Sequence, residues 1–241
     1  MTLAPALAAL REGRFVAVYD FDGREEETDL FIAAEHATPE AVRRLRRDAG
    51  GLVFMAVDDP IAGRFGLPFL QDVFAEAAER HPVIAGLVPN DIRYDTRSSF
   101  SLTLNHRRTF TGITDDDRSL TASRFAGLAR ETAGIPPVDA QRRLGAEFRA
   151  PGHVFLCVGS KRPLETRRGH TELGVALARM AGVTPVLLGA EMLGRGRALS
   201  KSEAGEYARA EGIPHVDGEQ VLRAWDSFKA AQGVRATAVT S

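Results

Sequence analysis

One polar stretch organises this chain, and it reads Asp20-Phe21-Asp22-Gly23-Arg24-Glu25-Glu26-Glu27-Thr28-Asp29. It separates two apolar runs, residues 15–19 and 30–34, and the first of these is typical of a buried strand. Six carboxylates and an arginine cannot enter a core without unpaired charge, and the carboxylates repel one another unless a cation lies among them. The stretch is therefore either a solvated acidic hairpin loop, as most charge runs are, or part of a cation-binding site.

A second polar stretch, Arg167-Arg168-Gly169-His170-Thr171-Glu172, lies where a loop is predicted to become a helix. The first turn of a helix has free backbone N–H groups and a partial positive charge, so this junction is suited to binding an anion. Gly169 leaves room for a ligand near the backbone, Thr171 adds a hydroxyl group, and Arg167 can grip a phosphate with two hydrogen bonds. From this stretch alone, a helix cap made by Thr171 or His170 is an equal alternative.

The two stretches together suggest a metal site. His170 and a carboxylate of the first stretch would form a mixed nitrogen and oxygen site, and such a site, completed by water or substrate, suits Mg²⁺ or Mn²⁺. A histidine paired with one glutamate is common in proteins of this size. The metal hypothesis therefore depends on the two stretches meeting in the fold.

The composition is that of an ordinary soluble globular protein. The chain has 241 residues, a hydrophobic fraction of 44% and a net charge of −1, so no overall field favours nucleic acid or an anionic membrane. Cys157 is the single cysteine. This excludes a disulfide within the chain and a cysteine-rich zinc site, and its apolar surroundings predict a buried structural thiol. No apolar run is long enough to span a membrane, and the N-terminus lacks the basic start of a signal peptide. We expect a soluble, cytoplasmic protein.

Apolar runs and turn signals predict an alternation of strands and helices that is only partial. Residues 61–97 and 134–151 are predicted to be irregular. One predicted strand, residues 99–104, alternates polar and apolar residues as a half-buried antiparallel strand does. We therefore predict an α+β (mixed α/β) fold with a central mixed β-sheet covered by helices, formed by residues 1–241 as a single catalytic domain with its core at about 14–225. The predicted strands are 15–19, 52–57, 99–104, 154–158 and 184–190, and the predicted helices are 2–12, 38–49, 117–133, 170–181, 200–212 and 217–232.

Three further polar positions are candidates for a site, each with a structural alternative. His153 precedes a predicted strand, where a histidine is more often structural than an acid or base. Thr111 lies in a stretch that suits phosphate contacts or a hydrophilic turn. Glu191 ends an apolar strand, where α/β ligands collect, although a surface acid is equally consistent. The chain contains no Walker loop, dinucleotide-binding glycine motif, nucleophile elbow or His-Glu-x-x-His motif.

Taken in order, these stretches resemble the 3,4-dihydroxy-2-butanone 4-phosphate synthase family of riboflavin biosynthesis. The resemblance covers about residues 14–225, and residues 88–118 are similar to the archaeal branch in particular. No single segment is specific, but the combination is. The matching segments are Tyr19-Asp20, Arg24-Glu25-x-Glu27-x-Asp29, Ala34-Glu35, Gly66-Leu67-Pro68, Phe100-Ser101-Leu102, Thr111-Gly112-Ile113-Thr114, Asp117-Arg118, Pro151-Gly152-His153-Val154-Phe155, Arg167-x-Gly169-His170-Thr171-Glu172, Ala181-Gly182 and Glu191.

The resemblance implies a lyase that converts D-ribulose 5-phosphate into 3,4-dihydroxy-2-butanone 4-phosphate and formate. It also implies Mg²⁺ or Mn²⁺, as one ion or two per site, and a homodimer with active sites at the subunit interface, without nucleic acid or membrane partners. By resemblance, the metal ligands are Glu25 and His170. The catalytic residues are Glu27, Asp29, His153 and Glu191, and the substrate contacts are Arg24, Asp29, Thr111, Arg167, Gly169, Thr171 and Glu191.

Some positions depart from the family pattern. Glu26 replaces Asn or Gly of many relatives, while Thr28 and Arg168 each replace a glycine of bacterial members. The strand at residues 52–57 lacks the cysteine that many relatives carry. Two other hypotheses remain: another sugar-phosphate isomerase or lyase on the same scaffold, which would release no formate, and a non-catalytic protein that binds a phosphorylated metabolite.

Overall fold

A seven-stranded mixed sheet forms the centre of the protein in the computed structural model, which describes residues 2–87 and 91–239. The strand order is β4-β5-β3-β6-β2-β1-β7. The pairs β1–β7 and β3–β5 are parallel, and the other four neighbouring pairs are antiparallel. The strands are β1 Val16–Tyr19, β2 Thr28–Ala33, β3 Phe54–Val57, β4 Phe100–His106, β5 Phe148–Val158, β6 Val186–Glu191 and β7 His215–Asp217.

Helices cover both faces of this sheet, as predicted. Strand β2 shows why: Leu30 and Ile32 pack into one hydrophobic cluster and Phe31 and Ala33 into the other, because successive side chains of a strand point to opposite faces. The helices are α1 Ala4–Arg11, α2 Pro39–Arg44, α3 Asp59–Phe65, α4 Leu70–Ala77, α5 Pro82–Ala85, α6 Asp115–Glu131, α7 Pro137–Glu147, α8 His170–Ala181, α9 Lys201–Ala210 and α10 Gly218–Val239. Helices α1, α8 and α10 pack on the face of Phe31, and α2, α3, α6, α7 and α9 pack on the face of Leu30.

Local signals account for the helix boundaries that the sequence predicted. The Thr38 hydroxyl accepts a hydrogen bond from the Ala41 N–H at 3.1 Å, and Pro39 begins α2, which continues as a π-helical turn to Ala49. Ser200 and Glu203 form the predicted capping box of α9. Helix α8 ends at Gly182, which has φ of 73°, a conformation that glycine adopts at little cost.

Two spans predicted to be irregular are in fact partly regular. Residues 61–97 contain most of α3 and all of α4 and α5, while residues 134–151 contain α7 and the start of β5. Helices α4 and α5 bury no residue fully, and α7 buries only Ala140 among its described residues, so these helices lie at the surface and contribute little to the core. Strand β7, with only three residues, was not predicted. Residues 88–90 of the first span lie outside the described residues.

Helix α10 packs against α8 on the face opposite the large α6 core. Trp225 of α10 is buried and stacks on Phe228 with ring centroids 5.5 Å apart. The guanidinium of Arg179, near the end of α8, lies 5.8 Å from the Trp225 ring centre and pairs with Asp58 at 2.6 Å. Within the described residues, no helix combines the length and the apolar character that crossing a membrane requires.

Candidate active site

A cavity of about 830 Å³ brings the two polar stretches together. It opens where β2 and β6 lie side by side and where α8 begins. Asp29 of β2 pairs in register with Glu191 at the end of β6, and His170 is the first residue of α8. The predicted site residues that line the cavity are Arg24, Glu25, Glu27, Asp29, Arg167, His170, Thr171 and Glu191.

The acidic loop is organised around the buried carboxylate of Asp20. One oxygen of Asp20 accepts the Glu27 N–H and the other accepts the Glu25 N–H, both at 3.1 Å. The guanidinium of Arg24 lies 3.1 Å from the same carboxylate. Glu26 adopts φ of 59°, in the left-handed region that Asn and Gly favour. The loop is therefore hydrogen-bonded from within, and repulsion among its acids is offset by Arg24 and by backbone N–H groups.

The two predicted metal ligands, Glu25 and His170, lie at the floor of the cavity. His170 Nδ1 lies 3.1 Å from Glu25 Oε2, and His170 Nε2 lies 3.1 Å from the backbone oxygen of Glu27 and 3.6 Å from Asp29 Oδ1. Ligand atoms of Asp20, Glu25 and His170 all lie within 4.8 Å of one another. The oxygens of Asp20 are held by two backbone N–H groups, whereas Glu25 and His170 contact each other through their ligand atoms, so a cation that binds between them would replace this contact.

The charges of this floor are strongly coupled. Burial opposes the charge on Glu25, but the hydrogen bond from His170 and the charges of His170 and Arg24 lower its pKa to about 2. Burial raises the pKa of Asp29 to about 8, with Glu191 and Glu25 adding to the effect and His170 opposing it. Burial also raises the pKa of Glu27. Burial disfavours the protonated form of His170, yet the negative charges of Asp29 and Glu25 raise its pKa to about 9.

Two arginines face each other across Gly169. A Cβ atom at Gly169 would lie 2.3 Å from Arg167 Nη1 and 2.8 Å from Arg24 Nη2, so only glycine lets both guanidiniums lie over the start of α8. Arg167 pairs with the fully buried Glu172 at 2.6 Å. Thr171 donates to the Ser99 hydroxyl at 3.3 Å. Positive charge and free N–H groups of the first turn thus meet at one place, which suits an anionic group.

Glu191 is held by the chain segment that precedes β3. Its Oε2 accepts the Leu52 N–H at 2.7 Å, and a Cβ at Gly51 would lie 2.3 Å from the same oxygen. Glycine at position 51 is therefore required for this close approach. The arrangement keeps Glu191 beside Asp29, so the two carboxylates face the cavity together.

Gly169 lies beside the cavity, next to the two arginines, without lining it, but two other predicted site residues, Thr111 and His153, lie apart from it. They belong to a second polar cluster between β4 and β5, in which Asn105 accepts the His153 N–H at 2.9 Å and its amide lies 3.1 Å from His153 Nδ1. The same amide reaches the backbone oxygen of Thr111 at 3.4 Å. Both side chains are exposed, and Phe110 beside them is 94% exposed. Within the described residues of one chain, the predicted site is therefore divided into two parts.

Sequence reasoning did not single out two residues that shape the cavity. Asp20 was noted as one acid of the charged stretch and as part of a family-matching segment but was given no role, although its position directly after a strand is a recognisable signal for a loop-organising carboxylate. Asp95 lies between Arg24 and Arg167, 2.6 Å and 2.7 Å from them. No local pattern could reveal Asp95, because both of its partners are distant in sequence.

The residues at the floor fit a divalent cation. An imidazole nitrogen and a carboxylate oxygen are available at one point, and Oδ1 of the buried Asp29 has no hydrogen-bond partner among the described residues. Mg²⁺ takes few protein ligands and completes its shell with water and substrate oxygens. The donor set and the unsatisfied oxygen both match such an ion.

Comparison with known proteins agrees with this site. Residues 4–224 match the family model of 3,4-dihydroxy-2-butanone 4-phosphate synthase. The enzyme of that name from Methanothermobacter thermautotrophicus is 42% identical over 226 residues, which span 93% of this chain and 96% of that protein. The one from Archaeoglobus fulgidus is 44% identical over 227 residues, spanning 93% of this chain and 94% of that protein.

Solved structures of the same family also resemble this chain. A crystal structure of 3,4-dihydroxy-2-butanone 4-phosphate synthase in complex with two magnesium ions superposes with a TM-score of 0.70 and 25% identity, covering 95% of this chain and 98% of that chain. A cation-free form superposes with a TM-score of 0.70 and 26% identity, covering 95% and 99%. The family resemblance and the mixed α+β fold that the sequence predicted are confirmed, and this chain belongs to the 3,4-dihydroxy-2-butanone 4-phosphate synthase family.

Proposed function

We propose that this protein converts D-ribulose 5-phosphate into L-3,4-dihydroxy-2-butanone 4-phosphate and formate, as a Mg²⁺- or Mn²⁺-dependent lyase of riboflavin biosynthesis in the cytoplasm. The observation that carries the proposal is the meeting of Glu25 and His170, 3.1 Å apart, beneath a pair of arginines in one cavity. A pair of metal ligands and an anion site in one cavity suit a small phosphorylated sugar. Family membership supports the same reaction.

In this proposal, the phosphate lies at the start of α8. Arg24 and Arg167 supply charged N–H donors, and Gly169 lets both guanidiniums lie close to the backbone of the first turn, so that charged groups and backbone N–H groups can bind the phosphate together. Thr171 contributes its hydroxyl group. The other end of the sugar then points to the acidic floor of the cavity, where its carbonyl and hydroxyl oxygens meet Glu25 and His170.

The metal belongs at the floor, held by Glu25 and His170. A bound divalent ion, single or paired, would supply positive charge to the sugar oxygens and so make the neighbouring C–H more acidic. Glu25 suits this role because His170 and Arg24 keep it ionised. His170 must lose its proton to become a ligand. One relative of known structure is described as a complex with two magnesium ions, which supports a site for one ion or two.

Proton transfers fall to the remaining carboxylates and to His153. Asp29, whose pKa is raised to about 8, can hold and return a proton near neutral pH, as a general base or acid requires. We assign the first proton, next to the carbonyl, to Asp29 or Glu27. Glu191 lies beside Asp29 and contacts the sugar, and His153 takes part in a later transfer.

His153 and Thr111 can take part only if a second copy of the chain brings them to the cavity. We therefore propose a homodimer in which each site combines the cavity of one subunit with the His153–Thr111 cluster of the other. The exposed cluster and the neighbouring side chains of Phe110 and Ile113, 94% and 51% exposed, support such an interface.

Formate release tests the function directly. Purified protein is incubated with D-ribulose 5-phosphate and Mg²⁺ or EDTA, beside the variants Glu25→Gln and His170→Asn. We expect metal-dependent formate that both variants lose, since each removes one metal ligand. A folded protein that binds the sugar phosphate with Mg²⁺ yet releases no formate would show that the synthase assignment is wrong.

A further inference from the structure

One segment of chain crosses the mouth of the cavity, and we call residues 91–98 the strap. Its residues are mostly exposed, but the side chain of Asp95 is only 10% exposed. Asp95 Oδ2 lies 2.6 Å from Arg24 Nη2 and 2.7 Å from Arg167 Nη2. A single carboxylate oxygen of the strap therefore bridges both arginines.

The other contacts of these arginines show that Asp95 takes their outward-facing donors. Arg24 Nη1 pairs with Asp20 at 3.1 Å and with Glu25 at 3.0 Å, while Arg167 Nη1 pairs with Glu172. In each guanidinium, the Nη1 group is thus bound to a carboxylate of the site floor or of α8. The Nη2 group, which remains for a ligand, is bound to Asp95.

The strap is also held at two other points. Tyr94 lies over the Arg24 guanidinium, with 5.0 Å between the ring centre and the guanidinium carbon. At the far end of the strap, Arg97 lies 3.7 Å from the ring centre of Phe69, near the start of α4. Tyr94 and Asp95 thus attach the strap to the cavity, whereas Arg97 attaches it to the helices outside.

We propose that Asp95 determines which ligands enter this site, by occupying the anion position of the ligand-free protein until a phosphate group displaces it. The inference rests on the proposed function, because it takes Arg24 and Arg167 to be the phosphate contacts. Displacement breaks both Asp95 ion pairs and frees the Tyr94–Asp95 end of the strap. Asp95 is a specificity-determining residue in this scheme and takes no part in the chemistry.

The charges explain why a phosphate displaces Asp95 and a neutral sugar does not. A phosphate monoester carries up to two negative charges and three terminal oxygens, so it can bind both Nη2 groups and the N–H groups of α8 at once. Asp95 offers one charge and uses one oxygen. A ligand without a phosphate lacks the charge to replace Asp95. Unphosphorylated sugars therefore bind this site more weakly than phosphorylated ones.

Inorganic phosphate is the probe that tests this inference. Its dissociation constant is measured by calorimetry for the wild type, Asp95→Asn and Asp91→Asn. Asp91 is a matched control because it lies on the same strap, is exposed and lines the same cavity, but forms none of the ion pairs of the two arginines. We expect Asp95→Asn to bind phosphate about tenfold more tightly, which corresponds to about 1.4 kcal/mol, and Asp91→Asn to stay within about twofold of the wild type.

Amide hydrogen exchange of the strap supplies the second measurement. Phosphate should speed exchange at residues 92–96 of the wild type, whereas Asp95→Asn should exchange fast there without phosphate. Equal or weaker phosphate binding by Asp95→Asn, or an equal gain in Asp91→Asn, would overturn the inference. The second of these results would mean that only the general negative charge of the strap matters.

The inference can fail separately from the proposed function. If the wild type releases formate but Asp95→Asn gains no phosphate affinity, only the role of Asp95 is wrong. If no formate is released, the phosphate measurements still decide whether Asp95 competes with an anion at Arg24 and Arg167.

Discussion

Gly169 controls the distance between the two arginines and the backbone of α8. In Gly169→Ala, the added Cβ would lie 2.3 Å from Arg167 Nη1 and 2.8 Å from Arg24 Nη2. Both atoms are the ends of flexible side chains, and φ of −84° at position 169 suits alanine, so the fold should persist while the arginines move apart. We expect the KM for the proposed substrate, D-ribulose 5-phosphate, to rise about tenfold, because one charge-assisted contact is lost.

The control for this change is Gly145→Ala in α7. Its Cβ would meet no atom within 4 Å, so it should leave KM unchanged and raise helix stability slightly. Thermal unfolding of both variants separates the local effect from a general one. An unchanged KM in Gly169→Ala would mean that the arginines do not contact the substrate as proposed.

His170 should release a proton when the metal binds. Its pKa of about 9 in the metal-free protein means that it is protonated at pH 7, while a ligand nitrogen must be free of its proton. Bound Mg²⁺ should therefore displace the proton of His170 at pH 7, and it can also displace the proton of the neighbouring Asp29, whose pKa is about 8. The affinity for Mg²⁺ should rise with pH and level off above about 9, the pKa of His170, where that proton is already lost.

Calorimetry in buffers with different ionisation enthalpies measures this proton release. The variant His170→Asn, titrated with Mg²⁺ to saturation, should release about one proton fewer than the wild type, and His81→Asn serves as the control because His81 is exposed and does not line the cavity. Release that is undiminished in His170→Asn would assign the proton to another group.

At the scale of elements, Asp20 fixes the conformation of the acidic loop. Repulsion among six carboxylates alone would keep this loop mobile without ligand, but the structure gives its backbone two hydrogen bonds to Asp20. In Asp20→Asn, one oxygen is replaced by an N–H₂ group that cannot accept. Since a hydrogen bond to a charged group contributes about 1.5–3 kcal/mol, we expect amide exchange at Glu25 or Glu27 to become at least about tenfold faster.

The control for the loop is Asp22→Asn, at an exposed position of the same turn. Asp22 accepts from the Tyr19 hydroxyl at 2.9 Å and holds no backbone N–H, so its loss should leave exchange at Glu25 and Glu27 unchanged. Fast exchange at both amides of the wild type would show that the loop is mobile despite these two hydrogen bonds.

Elements with local signals could be predicted from the sequence, and elements without them could not. Helix α9 carries its capping box and α8 its terminal glycine within a few residues. Strand β7 has only three residues, and it pairs with β1, which lies far from it in the sequence. Helix α7 has little apolar surface to bury, and its interior glycine, Gly145, weakens the helical pattern further.

At the scale of the whole molecule, the same distinction applies to the site. The two polar stretches could be identified because each is dense in chemistry-bearing residues, and the family resemblance ordered their roles. The bridge from Asp95 to Arg24 and Arg167 arises only when three distant segments meet. The separation of His153 from the cavity likewise depends on position along a strand, since β5 contributes Cys157 to the cavity while His153 lies earlier on the same strand.

A shared site predicts complementation between two inactive variants. His170→Asn damages the cavity half of the site, and His153→Asn damages the half that the other subunit supplies. In a mixed dimer, one site combines both defects and the other has neither. With random pairing, about a quarter of all sites are intact, so the two chains, co-expressed and purified together, should regain about a quarter of wild-type formate release.

The matched control pairs two variants of the same half, His170→Asn with Glu25→Gln. Every site of that mixture carries one defect, so no activity should return. Recovery in neither mixture, from a protein that is dimeric by light scattering, would show that each site is built within one chain.

Trp225 is the single tryptophan of the chain, and its position makes it an optical reporter. It packs against Phe228 and near Arg179, at the end of α8 opposite His170. Its emission should therefore follow the docking of α10 on α8 during denaturation. Trp225 lines no part of the cavity. A change of its emission when Mg²⁺ is added would therefore mean that cation binding at His170 shifts the whole of α8, including its end beside Trp225.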